Sequence, residues 1–362
     1  MERTKIEEKP MRGPLHFRCE HVVRMSRSVN AYWLRLLDHE RYDECDLGKH
    51  IVLKYPDARN RMQRRSYSIA GRPESGLIEI AVKRQPGQGV SAAIHQSLTA
   101  NSMLIADEVS GVLTAGALLG YERVLMVCGG VGITLPLGLL RGLARLAERG
   151  LRIPDVHLVA CVPQFGELIY FTELLALQAS HPWFTMTTFV TREQIRDGIS
   201  YLSSGRPDPG MLARRISTPD AVVLCGSGGF VADWGRHLRL AYPDAVMLDQ
   251  HRPAQAGAAL GRGPSAVVAA APSTVPVRIL LSNSGREIAA RSGQSLLDAL
   301  ESSGVAVPSQ CRMGICGRCS VRVLDGAVES SGDVGLSGRE RDSGYCLTCC
   351  SRPTGATVTL AL

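Results

Sequence analysis

The chain has 362 residues, 45% of them hydrophobic and 21% charged, which is ordinary material for two or three globular domains. The formal net charge is +7, but the basic residues are spread out, aromatics make up 5%, and no helix-turn-helix or finger pattern appears, so nucleic acid is not an expected partner. No run of about 18 apolar residues occurs, and the charged start from Met1 to Pro10 lacks the apolar core of a secretory signal, so the expectation is a cytoplasmic protein without membrane insertion.

Residues 1–118 read as strands and turns. His50-Ile-Val-Leu-Lys54 and Leu77-Ile-Glu-Ile-Ala-Val-Lys83 are short β-prone runs bounded by Gly, Pro and Asp. An antiparallel β-barrel is expected here. Two short motifs fall inside it, Arg65-Ser-Tyr67-Ser68 and Gly89-Val90-Ser91. Alone, each is explained as well by an exposed arginine, a strand tyrosine and a loop glycine.

Residues 119–252 change character. Arg123-Val-Leu-Met-Val-Cys128 reads as a buried strand. Leu135–Arg149 reads as a helix with leucines at 139, 140, 143 and 146 and a stop at Gly150. Further strands are expected at His157–Val162, Phe184–Val190, Ala221–Cys225 and Ala245–Leu248. This alternation predicts an α/β domain with a parallel sheet. Gly129-Gly130-Val-Gly132-Ile-Thr134 joins the first strand to its helix. Glycines there bring backbone N–H groups and a helix N-terminus toward a pyrophosphate. A plain tight turn is the alternative.

Residues 253–276 are rich in Ala, Pro, Gly and Ser and carry no periodicity, the composition of a linker. Past it, Val277-Arg-Ile-Leu-Leu281 is an expected strand and Ser295–Gly304 a short helix with a glycine stop. Six of the chain's eleven cysteines then crowd between Cys311 and Cys350. Cys311, Cys316 and Cys319 stand as C-x4-C-x2-C, and Cys349 follows after 29 intervening residues. Four thiolates at that spacing suit a [2Fe–2S] cluster. Zinc is the rival, through Cys316-x2-Cys319 and Cys346-x2-Cys349. The 26 residues between those pairs exceed the usual gap, and Cys311 is left unused. Under the cluster reading Cys346 and Cys350 are packing residues.

Residues 277–362 resemble a plant-type ferredoxin domain in the order of the cysteine loop, the Asp325-Gly326 turn and Leu347-Thr-Cys349. The resemblance implies a β-grasp fold with Cys311, Cys316, Cys319 and Cys349 as ligands. Arg65-x-Tyr67-Ser68 resembles the flavin motif of the ferredoxin reductase superfamily, and Gly89-Val90-Ser91 its second phosphate loop. It implies Arg65 as a fork for a flavin phosphate, Tyr67 against the ring and Ser68 as its hydrogen-bonding partner. Gly129–Thr134 resembles the superfamily's G-G-x-G-[IV]-T-P, with Leu135 where proline is expected. Cys225-Gly226 resembles its C-G-P element beside the nicotinamide, with Ser227 replacing the proline.

The domain order resembles the reductase components of multicomponent oxygenases, of the phthalate dioxygenase and phenylacetyl-CoA oxygenase types. It implies hydride transfer from NAD(P)H to a flavin, FAD or FMN, and single electrons through the cluster to a protein acceptor. Ser110-Gly111, after Ile105-Ala-Asp107, leans toward FAD. The loop after Val159–Val162 holds Pro163, Gln164 and Glu167 but no arginine, which leans toward NADH, with Arg192 as the competing signal for NADPH. The expected acceptor is a terminal oxygenase or demethylase, and the linker implies a cluster domain that moves between flavin and acceptor. Arg312, Met313 and Arg318 are candidate contacts for acids on that acceptor. Two rivals stay open: a reductase for a non-oxygenase acceptor such as a hybrid-cluster protein, and a zinc-containing nucleotide-binding module without redox activity.

Overall fold

The computed structural model describes residues 13–362 apart from 197, 200, 208–216, 249–276, 292, 310, 311, 313, 315, 316, 331, 332 and 334. Strands β1 (Leu15–Arg24), β2 (Val29–Leu36), β3 (His50–Pro56), β4 (Met62–Ser68), β5 (Leu77–Lys83) and β6 (Met103–Ser110) form one antiparallel sheet in the order β4-β3-β6-β1-β2-β5. Alternation drives it. Leu15, Phe17 and Cys19 of β1 point inward and are fully buried, while the residues between them face out. A bridge between Gly71 and Glu79 brings the chain after β4 back to β5, so the sheet curls into a half-barrel. Helix α1 (Val90–Ser97) closes its mouth with Val90 and Ile94.

After the short helix α2 (Ala115–Leu118), the chain builds a parallel sheet. Its strands are β7 (Arg123–Gly129), β8 (Asp155–Val162), β9 (Phe184–Val190), β10 (Leu202–Ser204), β11 (Ala221–Cys225) and β12 (Val246–Leu248), in the order β10-β9-β8-β7-β11-β12. Helices α3 (Thr134–Glu148), α4 (Phe171–Ser180) and α5 (Gly228–Ala241) connect them. The strand order reverses at β7, and the crevice at the carboxyl ends of β7 and β11 is where such sheets bind ligands. Helix α3 ends at Gly150, whose φ of +80° and N–H bond to the Ala147 carbonyl (2.8 Å) form a left-handed stop. The stretch Gly130–Glu148 is long and apolar enough to cross a membrane by length and composition, but 67% of it is buried inside the fold. It is a core helix.

The last third forms a mixed sheet with one helix against it. Strands β13 (Val277–Leu281), β14 (Glu287–Ala290), β15 (Ser320–Asp325), β17 (Tyr345–Leu347) and β19 (Thr357–Leu360) lie in the order β14-β13-β19-β15-β17, and β16 (Val328–Ser330) pairs with β18 (Ser351–Pro353). Helix α6 (Leu296–Ser302) buries Leu296, Leu297 and Leu300, and its cap Ser295 accepts from the Asp298 N–H at 3.1 Å. This is the ferredoxin-type β-grasp. The turn Asp325-Gly326 demands glycine: φ is +89°, and a Cβ would stand 2.4 Å from the Thr357 carbonyl oxygen. A short helix α7 (Gly338–Asp342) precedes β17.

One ion network around the buried Glu79 fixes the half-barrel to the parallel sheet. Arg141 of α3 donates to Glu79 of β5 (2.6 Å), to both oxygens of Glu173 of α4 (2.6 and 2.7 Å) and to the Ala70 carbonyl (2.8 Å). Tyr170 donates to the other Glu79 oxygen at 2.8 Å. Glu79 is 3% exposed, so loss of its cationic partner strands a buried charge. Arg141→Met is expected to cost about 2–3 kcal/mol, read as a lower urea midpoint, while Arg141→Met combined with Glu79→Gln recovers most of the loss.

Candidate functional site

The glycine loop and the cysteine turn meet at the switch point. Cys225 at the end of β11 is in register with Cys128 at the end of β7. A Cβ on Gly132 would lie 2.6 Å from the Cys225 carbonyl oxygen, so only glycine lets the two backbones touch. The ring of Phe230 covers both motifs: a Cβ would meet it at 2.9 Å from Gly129 and at 2.7 Å from Gly226. Residues 130–133 form a 3-10 turn that runs into α3; no side chain caps either start, and the Thr134 N–H is already bonded to the Val131 carbonyl. Thr134 is buried and its hydroxyl donates to the Val131 carbonyl at 3.0 Å, which shapes the loop. Leu135, at the departure from the motif, is 2% exposed in the core. Ser227, at the other departure, caps α5 by accepting from the Phe230 N–H at 3.4 Å.

On the barrel side, Arg65, Tyr67 and Ser68 end β4, paired with Leu53, Ile51 and His50 of β3. Gly89 is the cap of α1, again without a side chain on the orphan N–H groups. Val90 is buried in the barrel core, and the Ser91 hydroxyl accepts from the Gln85 N–H at 3.1 Å. Arg65 is half-buried and donates to the Arg64 carbonyl at 2.8 Å. Burial, and then the Arg312 charge, hold its pKa below the usual guanidinium value. Its neighbour Arg64 pairs with Asp107 at 2.7 Å, but among the described residues no carboxylate lies within ion-pairing distance of Arg65. A desolvated cation with no carboxylate in direct contact, and Glu301 and Asp298 only acting from farther off, fits a phosphate. Burial raises the Tyr67 phenol, so it stays neutral and suits an aromatic ring better than a proton-transfer role.

At the cluster loop, Cys311 and Cys316 lie outside the described residues. Cys319 is buried at the start of β15, and its carbonyl accepts from both the N–H and the hydroxyl of Thr348 at 3.1 Å. That clamp sets the neighbouring Cys349 thiol in hydrogen-bonding contact with Cys319, and the Gly314 N–H also reaches it. Gly314 and Gly317 have φ of +74° and +71°, turning the loop backbone inward. Two converging thiols with a backbone N–H aimed at one of them fit a thiolate-held iron–sulfur cluster.

The structure reassigns the loop arginines. Arg312 pairs with Asp298 (3.1 Å) and Glu301 of its own domain and donates to Gln63 of β4 at 3.2 Å. Arg318 pairs with Glu108 of β6 at 3.4 Å. Both therefore turn toward the flavin motif rather than toward an outside acceptor, and Met313 lies outside the described residues. Two further contacts were not expected. Glu167 turns back to the barrel, where Ser26, Ser28 and Lys83 (3.4 Å) hold it. Arg192 is exposed on the turn after β9, its N–H tied to the Pro163 carbonyl at 2.9 Å.

Comparison with known proteins agrees with this geometry. The model for an oxidoreductase FAD-binding domain matches residues 16–109, that for a ferric reductase NAD binding domain residues 121–206, and that for a 2Fe-2S iron-sulfur cluster binding domain residues 279–354. The chain is 25% identical to the tert-butanol monooxygenase / tert-amyl alcohol desaturase reductase subunit of Aquincola tertiaricarbonis over 96% of both chains. It is 29% identical to the phenoxybenzoate dioxygenase subunit beta of Ectopseudomonas oleovorans, covering 97% of this chain and 98% of the other. The solved phthalate dioxygenase reductase shares the fold, with a TM-score of 0.65 at 20% identity, covering 97% of this chain and 98% of that one. Fold and site define an NAD(P)H-dependent flavin iron–sulfur oxidoreductase. The chain carries an FAD-binding, an NAD-binding and a C-terminal 2Fe-2S cluster binding domain, in that order.

Two outcomes test the assembled site. Gly132→Ala pushes β11 away from the glycine loop and is expected to raise KM for NAD(P)H at least tenfold, about 1.4 kcal/mol, in dye reduction, with flavin content unchanged. Arg318→Glu is expected to slow cluster reduction by about twofold to fivefold at low salt, as befits an exposed pair, and Arg318→Glu with Glu108→Arg to restore it in stopped-flow absorbance.

Proposed function

We propose that the chain is the reductase component of a multicomponent oxygenase. The observation that carries this is the convergence of three sites in one fold, with the cluster loop turned onto the flavin strand through Arg312–Gln63 and Arg318–Glu108. The names of full-length relatives, reductase or beta subunits of monooxygenase and dioxygenase systems, support an oxygenase as acceptor. The proposed units are residues 1–118 for flavin, 119–252 for NAD(P)H, 253–276 as linker (outside the described residues) and 277–362 for the cluster. Cysteines spaced to hold a cluster fit a compartment that keeps thiols reduced, the cytoplasm.

When bound, a flavin takes two electrons as hydride from NAD(P)H and releases them singly, and a [2Fe–2S] cluster carries one at a time. The chain's own residues bind and orient. Arg65 and the α1 start at Gly89, Val90 and Ser91 are the proposed phosphate grips for FAD, and Tyr67 and Ser68 flank the ring. Gly129, Gly130, Gly132 and Thr134 form the pyrophosphate loop, with Cys225 and Gly226 as the floor under the nicotinamide. Cys311, Cys316, Cys319 and Cys349 are the proposed cluster ligands. No general base is needed, and the neutral Tyr67 and buried thiols are consistent with that. The lean toward NADH stands on the absence of an arginine in the loop after β8, and exposed Arg192 is the residue to test for NADPH.

Anaerobic mixing with NADH or NADPH is expected to bleach the flavin absorbance and raise the EPR signal of a reduced cluster; purified, cofactor-replete protein showing neither sinks the proposal. Cys349→Ser is expected to lose the cluster while keeping NAD(P)H-dependent dye reduction.

A further inference from the structure

Cys349 and Cys350 are chain neighbours whose sulfurs lie 3.6 Å apart. In an extended strand successive side chains point to opposite faces. The turn after β17 brings these two to one side instead. It is held by the two bonds from Thr348 to the Cys319 carbonyl and by the Cys350 N–H to the Leu347 carbonyl at 2.9 Å. Cys350 is 7% exposed, while Cys349 is half-buried. Cys346 belongs to the β17 ladder opposite Val321 and packs in the domain core.

A cysteine that ligates iron does so as thiolate and carries no proton. If Cys349 is a ligand, the proton between the two sulfurs belongs to Cys350. We propose that Cys350 donates an S–H···S hydrogen bond to the ligand sulfur of Cys349 and so raises the reduction potential of the cluster. The proposal rests on the cluster assignment above. Reduction adds one negative charge, spread partly over the thiolate sulfurs, so a donor aimed at one of them stabilises the reduced form more than the oxidised form. Burial of Cys350 strengthens the effect, since little water competes for its S–H. Cys350 is thus a positioning residue for charge rather than a fifth ligand.

The test is EPR-monitored potentiometry of the full chain with its cofactors, comparing wild type, Cys350→Ala and Cys350→Ser. In Cys350→Ala the ratio of reduced to oxidised cluster at a fixed potential is expected to fall roughly tenfold, about 59 mV for a one-electron couple. Cys350→Ser keeps a donor and is expected to stay at or above the wild-type ratio. An alanine ratio within about twofold of wild type, or a serine ratio that falls as far as alanine, overturns the proposal. Should alanine fail to assemble the cluster, Cys350→Val replaces it in the comparison. Loss of the cluster in both, with serine intact, assigns Cys350 to holding the loop and overturns it too. A wild-type protein without iron is a different failure, that of the cluster assignment itself.

Discussion

The guanidinium of Arg141 holds this molecule in its working arrangement. It projects from α3 of the parallel sheet and ends between a carboxylate of the barrel and one of α4, with the Ala70 carbonyl as a further acceptor. The planar fork satisfies all of these at once, which a lysine's point charge would not. Glycines on the same helix make the approach possible. A Cβ at Gly138 would stand 2.6 Å from the Ile69 carbonyl oxygen, and one at Gly142 the same distance from the Ala115 Cβ. Helix α3 therefore lies directly on the segment that follows Arg65-x-Tyr67-Ser68. Its other end begins at the glycine loop, so one helix relates the nicotinamide loop to the flavin strand by rigid geometry.

The parts of this architecture visible in the sequence are those written in local patterns. β-prone runs between turn residues marked β3 and β5, the leucine spacing marked α3 with its stop at Gly150, and the cysteine spacing marked the cluster loop. Glycines announced Gly129–Gly132 because close backbone approach has no other residue to use. The Arg141 network was not visible, since its partners lie 62 and 32 residues away in sequence and depend on how two domains dock. A hint existed in Glu79, a charge in the middle of the run Leu77–Val82, where burial demands a partner. Arg312 and Arg318 misled for the same reason. A basic residue on an electron-transfer loop suggests an outside partner until the fold supplies Gln63 and Glu108. Ser227 was legible only as a departure from the family pattern, and its capping of α5 gives that departure a local reason.

The two interdomain contacts differ in kind, and the difference bears on electron flow. The barrel and the parallel sheet are joined by a carboxylate 3% exposed and bound from two sides, a contact that is costly to open. Among the described residues, the cluster loop meets the barrel through Arg318 and Glu108, whose side chains are 47% and 33% exposed, and through an amide bond from Arg312. Exposed pairs of that kind are worth about 1 kcal/mol or less each and weaken with salt. A relay needs both properties. Hydride transfer is sensitive to small displacements, so the flavin and nicotinamide sites are held by the strong contact. Single-electron transfer must serve first the flavin and then an acceptor, and the face of the loop turned to Glu108 and Gln63 is covered in this arrangement. A weak, salt-sensitive contact at that face can open far more readily than the one around Glu79.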